Sequence, residues 1–559
     1  QTTYRLNGRL TQKFGSEESN TEESASTIKN AFFTIQGDYT NNKYTYADEN
    51  HETDIFNYGY VGKFNTYKAP IYSFGTADSS VVGILRGQVL NGWADTLMTF
   101  EASELNPSLT NYTSTYYDMF SKYGLNSYMA PTMADQYGVD ASNDGVIRTA
   151  ADLQGQGLMN GDNPASVYSL FGNHGSWYGY SIKQENTQTA FKASGSADIK
   201  SHEFSFGIEF EQRKDYYWQF NAYKSIWSLM RQQANKHILE LDLSNPKPLM
   251  DGNGIYQDTI NYDRLFTASE QSDFDRNLRI TLGLNPNGTD FIDIDSYDPS
   301  TYSLDLFSAD ELLNNGSEFV YYYGYDIYGN KPTTVPTLKS FFEEGSERLI
   351  APFNPIYTAG YIQDKFAIED LIFNVGLRVD RFDANQQVLK DHHLLYSAYT
   401  AGANLDLMNS TNIPSTIGDD YVVYVDNIEN PSAIVGYRDN SDDTWYNAEG
   451  LEISDPTLLA EAAGGKISPY LKDADDAKKG IINVDDAFED YTPEVVFMPR
   501  VAFSFPISDE AQFFAHYDIL TQRPPEGNRI EPMNYLFMAN QVGSVINNPA
   551  LKPEKTVDY

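Results

Sequence analysis

Residues 357–383, YTAGYIQDKFAIEDLIFNVGLRVDRFD, decide the fold class. In the second half apolar residues recur at every other position. Leu371, Phe373, Val375, Leu377 and Val379 share one face of a strand, and Asn374, Gly376, Arg378 and Asp380 share the other. A strand repeats every two residues, so this pattern sets one face against apolar material and the other against water. The preceding arm carries Tyr357, Ala359 and Tyr361. The arms meet at Glu369-Asp370, which predicts a hairpin with a very short turn. Charge at this density is costly in a packed core. A water-filled barrel interior accommodates it.

The same rhythm recurs on both sides. Tyr4, Leu6, Gly8 and Leu10 alternate with Arg5, Asn7, Arg9 and Thr11, and a polar stretch at 15–27 reads as a turn or short loop. Phe33, Ile35, Gly37 and Tyr39 oppose Thr34, Gln36 and Asp38; Phe56, Tyr58, Tyr60, Gly62 and Phe64 predict a third strand with interfacial aromatics. Ala193, Gly195 and Ala197 oppose Lys192, Ser194, Ser196 and Asp198. Across a tight turn at Lys200-Ser201, Phe204, Phe206, Ile208 and Phe210 oppose Glu203, Glu209 and Glu211. A last hairpin sets Val501, Phe503 and Phe505 against Ala511, Phe513, Ala515 and Tyr517 across Ser508-Asp509-Glu510. Between these hairpins, residues 66–175, 215–350 and 384–490 read as long loops. Within them Ile226, Leu229, Met230 and Ala234 fall at helical spacing and predict a short helix at 221–238. Tiny turns at one end of each hairpin and very long connections at the other mark an outer-membrane barrel. The fold class expected is therefore all-β, a large antiparallel transmembrane β-barrel with long extracellular loops.

Composition agrees. The 559 residues hold 78 acidic against 39 basic side chains, a net charge of −39, which repels nucleic-acid phosphates. There is no Cys, so disulfides and thiolate chemistry are excluded. No run of about 18 apolar residues predicts a transmembrane helix. Barrel strands cross in about 9–11 residues of alternating polarity and escape that criterion.

Several segments add a resemblance. YIQDKFAIEDLIFNVGLRVDRFD, PRVAFSFPISDEAQFFAHYDILTQRPP (499–525) and NPALKPEKTVDY (548–559) resemble the hairpin segments typical of TonB-dependent outer-membrane receptors. YRLNGRLTQKFG, FNYGYVGKF and FDANQQVLKD resemble the Oar-like branch found in Bacteroidota. The resemblance runs from the first strand to the last residue. It implies residues 1–559 as one incomplete barrel domain, from a 22-stranded barrel in the outer membrane of a Gram-negative bacterium. It also implies a plug domain that contacts TonB, and neither plug nor closing strands are recognisable here. Implied partners are outer-membrane lipid, TonB through that plug, a captured peptide or protein, oligosaccharide or chelated iron, and other envelope proteins. The resemblance implies capture and import, not covalent chemistry.

Asp293-x-Asp295-x-x-Asp298, Asp473-x-Asp475-Asp476 and Asp485-Asp486 are possible Ca²⁺ ligands, but none completes a calcium-loop pattern, nor does DASNDG at 140–145. Solvated loop charge is the reading preferred. The seven histidines (His51, His174, His202, His237, His392, His393 and His516) are scattered. The pair His392-His393 would point to opposite sides of an extended chain. No Gly-x-Ser-x-Gly elbow or phosphate-binding glycine loop occurs, so no enzyme is expected and no catalytic, cofactor or metal residue is assigned. Tyr321-Tyr322-Tyr323 and Trp177-Tyr178 are expected to pack loops, and Tyr216-Tyr217-Trp218 to sit near a membrane interface. Two other classes fit the alternation: a barrel serving as a structural or assembly partner, and a soluble β-rich binding protein.

Overall fold

Alternating stretches become long strands in the computed structural model, which describes residues 1–14, 28–79, 83–123, 147–149, 153, 158–162, 179–221, 223–462, 464–508, 511–524, 527–540 and 545–559. The longer strands are β1 (Thr2–Phe14), β2 (Ile28–Tyr46), β3 (Gly62–Ser79), β4 (Gly83–Ala102), β5 (Ser181–Ile199) and β6 (His202–Phe220). They continue with β7 (Ile356–Ile368), β8 (Leu371–Asp383), β9 (Glu494–Ser508), β10 (Ala511–Gln522) and the short β11 (Glu554–Asp558). The chain divides into two units. One comprises Gln1–Tyr44, Gln184–Tyr217 and Tyr322–Tyr559; the other comprises Thr45–Lys183 and Trp218–Tyr321.

The first unit is built on one sheet, in the order β1-β2-β5-β6-β7-β8-β9-β10-β11. The ladders β1–β2, β6–β7, β7–β8, β8–β9, β9–β10 and β10–β11 are antiparallel. The all-β, antiparallel expectation holds. Ile368 faces Leu371 across Glu369-Asp370, with Glu369 left-handed at φ 51°. Lys200, at φ 58°, turns the β5–β6 hairpin in the same way. These turns share one end of the sheet. From the opposite strand ends the chain runs into residues 47–180, 221–355, 384–493 and 523–553.

Burial on this sheet is inverted relative to an ordinary core. One face aligns Phe206, Ile362 and Leu377, and beside them Ile208, Gly360, Val379 and Phe497. On that face Leu6 is 72% exposed, Ile208 58% and Phe497 61%. The opposite face carries Glu209, Glu211, Arg378 and Asp380, and the Glu211 side chain is only 14% exposed. Tyr357, Ala359 and Tyr361 register with Phe382, Asp380 and Arg378 and so belong to the polar face. Gly207 lies opposite Tyr361, whose ring lies where a Cβ would go, at 2.6 Å. An aromatic band crosses the apolar face near the turn end: Phe366–Phe373 (5.3 Å), Phe373–Phe503 (6.3 Å) and Phe503–Phe513 (5.9 Å).

The expected acidic loop at 384–490 is a folded insertion. It enters and leaves through the ladder Gln387–Leu389 with Phe488–Asp490. Inside it, Val422–Val425 and Ile434–Arg438 are buried at every position and pair within a small sheet. Val423, Val425, Tyr437 and Met408 form one core layer, and Val422, Tyr424, Val435 and Leu459 another.

The second unit has a conventional core. Here the expected strand through Phe56–Phe64 does not form. Ile55–Asn57 is a 3-10 turn and Gly59 is left-handed at φ 73°, so the strand begins only at Gly62. The aromatics therefore point inward: Tyr58 stacks on Tyr223 at 4.0 Å and Tyr60 on Trp227 at 5.7 Å. The irregular stretch expected from residue 66 contains instead the long β3–β4 hairpin and a helix, α1 (Pro107–Tyr123). Bulges at Asn91 and Thr96 of β4 break that strand's alternation, which hides the hairpin from the sequence pattern. The helix expected at 221–238 is present as α2 (Tyr223–Gln233), with Ile226, Leu229, Met230 and the following Ala234 buried. A third helix, α3 (Asp273–Thr281), is capped by Ser272, whose hydroxyl accepts the Asp275 N–H. Phe274 stacks on Phe307 at 4.4 Å.

Candidate functional site

Three features of the first unit carry polar chemistry. The polar face of the sheet holds a connected charge network. The Lys192 ammonium meets Glu209 at 2.5 Å. Arg378 donates to Asp380 (2.7 Å) and to the Tyr357 hydroxyl (2.7 Å), and reaches Glu209 at 3.4 Å. The Tyr357 hydroxyl in turn donates to Asp380 at 2.5 Å. Arg523 pairs with Glu211 at 2.9 Å and lies over the Tyr357 ring. Glu185 lies outside this network, having the β5 parity of Gly195, which faces Phe206; it accepts from Asn41 (3.0 Å) and pairs with Lys331 (2.8 Å). Positive and negative groups thus alternate across β5 to β8 while water reaches the face. Such a wall solvates polar solutes without presenting one sign of charge.

The second feature is a cavity of about 560 Å³, lined among others by Phe341, Ile350, Pro352, Asn354, Gln386, Tyr491, Arg529 and Ile530. Its size falls within the range that holds small ligands. Gln386 braces it: the side-chain amide donates to the Asn528 carbonyl (2.5 Å), and its oxygen accepts the Ile530 N–H (2.9 Å).

The third feature corrects an expectation. His392 and His393 do not point apart, because residues 391–394 form a turn in which the Leu394 N–H meets the Asp391 carbonyl at 3.1 Å. Both imidazoles face Asp443, with Nε2 of His392 at 2.8 Å from Oδ2 and Nε2 of His393 at 3.5 Å from Oδ1. Asp443 comes from a second turn, where its backbone is left-handed at φ 61°. Arg438, fully buried, ties the turns together by pairing with Asp391 and donating to Asp443 Oδ1 at 2.9 Å. It also donates to the Tyr424 hydroxyl and the Asn440 side chain. Burial pushes the His393 pKa below its usual value, and the neighbouring Arg438 and His392 charges push the same way, against Asp443 and Asp391. Among the described residues this is the group of three whose donor atoms converge, all within 4.8 Å of one another.

The acidic triplets are each partnered within the protein. Asp293 accepts the Thr66 N–H, Asp295 takes a two-pronged contact from Arg231, and Asp298 pairs with Lys63. Asp473 caps the helix Ala474–Lys479, while Asp485 pairs with Lys339 and Asp486 accepts from Asn483. The remaining described histidines are dispersed: His51 bonds Asn106, His202 pairs with Asp364, His237 is buried near Asp275, and His516 pairs with Asp558. The tyrosine patches pack: Tyr322 is buried with its hydroxyl on the Arg348 carbonyl, and Tyr217 stacks on Tyr323. Trp218 is buried too, beneath Lys183. Residues 15–27 and 140–145, His174, Trp177-Tyr178 and Asp509-Glu510 lie outside the described residues.

No protein-family model and no curated protein matches the chain. Among solved structures it is similar to a copper transporter, OprC, at 8% sequence identity and a TM-score of 0.23, over 99% of this chain and 42% of that one. The chain thus spans less than half the length of that structure.

Proposed function

We infer that the chain forms part of the wall and outer loops of an outer-membrane receptor of the TonB-dependent type, which captures a solute and passes it inward. The observation that carries this is the inverted burial of the sheet. A face of exposed Leu, Ile, Phe and Val is unstable against water but suits lipid, and the less exposed charged face suits an aqueous lumen. The aromatic band near the turn end fits a headgroup girdle, and every strand of the sheet except the short β11 exceeds the roughly 9–11 residues a bilayer requires. On this reading the tight turns are periplasmic and the long connections extracellular. Import energy comes through TonB acting on a plug. The captured solute is a peptide or protein, an oligosaccharide or chelated iron.

The insertion at 384–490, with its own two-layered core, favours a second reading in which the barrel anchors a surface that binds other envelope proteins. Cell fractionation tests the first step: the chain is expected with outer-membrane lipid, released by detergent and not by salt. Recovery in a detergent-free soluble fraction would sink both readings. Uptake assays then separate import from assembly, since a stable co-purifying protein without solute uptake selects the second.

A further inference from the structure

We propose that His392, His393 and Asp443 form a solvent-open binding site for one divalent transition-metal ion of the zinc class. Neither the strand pattern nor the membrane reading is needed for this inference, because the site lies wholly within the folded insertion.

The donor set argues the ion. Two imidazole nitrogens and one carboxylate oxygen suit Zn²⁺, Cu²⁺ or Ni²⁺, whereas Ca²⁺ and Mg²⁺ want a shell of oxygens. The geometry argues a site and not a chance meeting of surface groups. Both Nε2 atoms face the same carboxylate, at 2.8 Å and 3.5 Å, and the three donors lie within 4.8 Å of one another. Drawing them to about 2.0–2.2 Å from a shared ion needs only side-chain adjustment. Asp443 divides its oxygens: Oδ1 accepts an N–H hydrogen bond from Arg438, leaving Oδ2 toward His392. Arg438 would repel a cation if its charge were unmatched, but Asp391 and Asp443 both pair with it. It therefore acts from behind, fixing the carboxylate as outer-shell partners of metal ligands do. Three protein donors leave further coordination positions open, and His392 is 66% exposed on its side chain. Such a site takes an ion from solution and leaves it accessible to a second ligand.

The test is calorimetric titration of Zn²⁺ into the purified, chelator-stripped full chain in detergent, at neutral pH in a buffer that does not bind metal. A saturable event is expected that His392→Ala, His393→Ala and Asp443→Asn each weaken by at least about tenfold, and that Ca²⁺ does not reproduce. Zn²⁺ should also raise the melting temperature of the parent protein and leave that of the His392→Ala/His393→Ala variant unmoved. That second readout separates lost ligands from lost folding, because the metal-free melting temperatures are compared first. Equal Zn²⁺ affinity in parent and double variant would overturn the proposal, as would absence of the event in the parent.

Discussion

The sheet of the first unit and the core of the second spend the same kinds of side chain in opposite ways. In the second unit Trp227, Phe274 and Tyr223 are wholly buried, stacked on other rings and closed off from solvent. In the sheet, Phe206, Ile208, Leu377 and Phe497 stand exposed while Glu209 and Arg378 lie on the more sheltered face. Composition does not separate the two regions, since both are aromatic-rich. Period does. A two-residue alternation with charge on one face demands two different solvents, whereas aromatics gathered from a helix, a 3-10 turn and a strand close on one another.

The comparison breaks most readily at the buried core. Trp227→Ala removes a side chain packed on Tyr60 and Tyr302 and is expected to cost about 3–5 kcal/mol, read from unfolding in detergent. An equal loss is expected from Asp275→Asn, which leaves the charge of the wholly buried Arg279 uncompensated, about 3–5 kcal/mol. The sheet should answer to a different change. Leu377→Arg places a charge on the apolar face between Ile362 and Pro499. In a bilayer this costs about 2–4 kcal/mol near the midplane. A water-facing position would shift by no more than about 0.5 kcal/mol. Refolding into vesicles at graded denaturant distinguishes the two, and indifference to Leu377→Arg would remove the lipid contact. On the polar face Arg378→Gln should cost less than about 1 kcal/mol, because Glu209 keeps Lys192 and Asp380 keeps the Tyr357 hydroxyl, and should alter solute passage more than stability.

The sequence reveals most where local period and local contact coincide. Both faces of β7 and β8, the turns at Glu369-Asp370 and Lys200-Ser201, and helix α2 are legible because residues two or four apart suffice to define them. Val422–Val425 and Ile434–Arg438 were not, because strands buried on both faces show no alternation. Phe56, Tyr58 and Tyr60 misled for the converse reason: they alternate in sequence, yet Gly59 folds them into a core. The His392-His393 cluster escapes sequence reading at two levels. A turn at 391–394 reverses the extended-chain geometry, and the third donor comes from fifty residues downstream, brought in by Arg438. Nothing local announces either.

The subtlest difference between the regions is in pH response. His237 is buried, its ring edge-on to Phe266, Nε2 near the Gly288 carbonyl and Nδ1 3.5 Å from Asp275. Burial lowers its pKa below the usual value of 6.5; Arg279 adds to the shift and Asp275 opposes it. Asp275 is itself held below the usual carboxylate value: burial works against ionisation, but Arg279, the Asn235 N–H and Gln271 outweigh it. It therefore stays charged through the His237 window. The unfolded chain takes up a proton near pH 6.5 that the folded chain refuses, so stability rises with pH there. The contribution is complete above about pH 6.5 and is lost as pH falls through 6.5 toward the lowered folded value. Unfolding of the second unit, followed by amide hydrogen exchange in α2 and α3, should therefore become easier between pH 7.5 and 5.5. His237→Gln should flatten that slope while the exchange rates in β7 and β8 keep theirs. An unchanged slope in the variant would assign the pH response to other groups and leave His237 a packing residue.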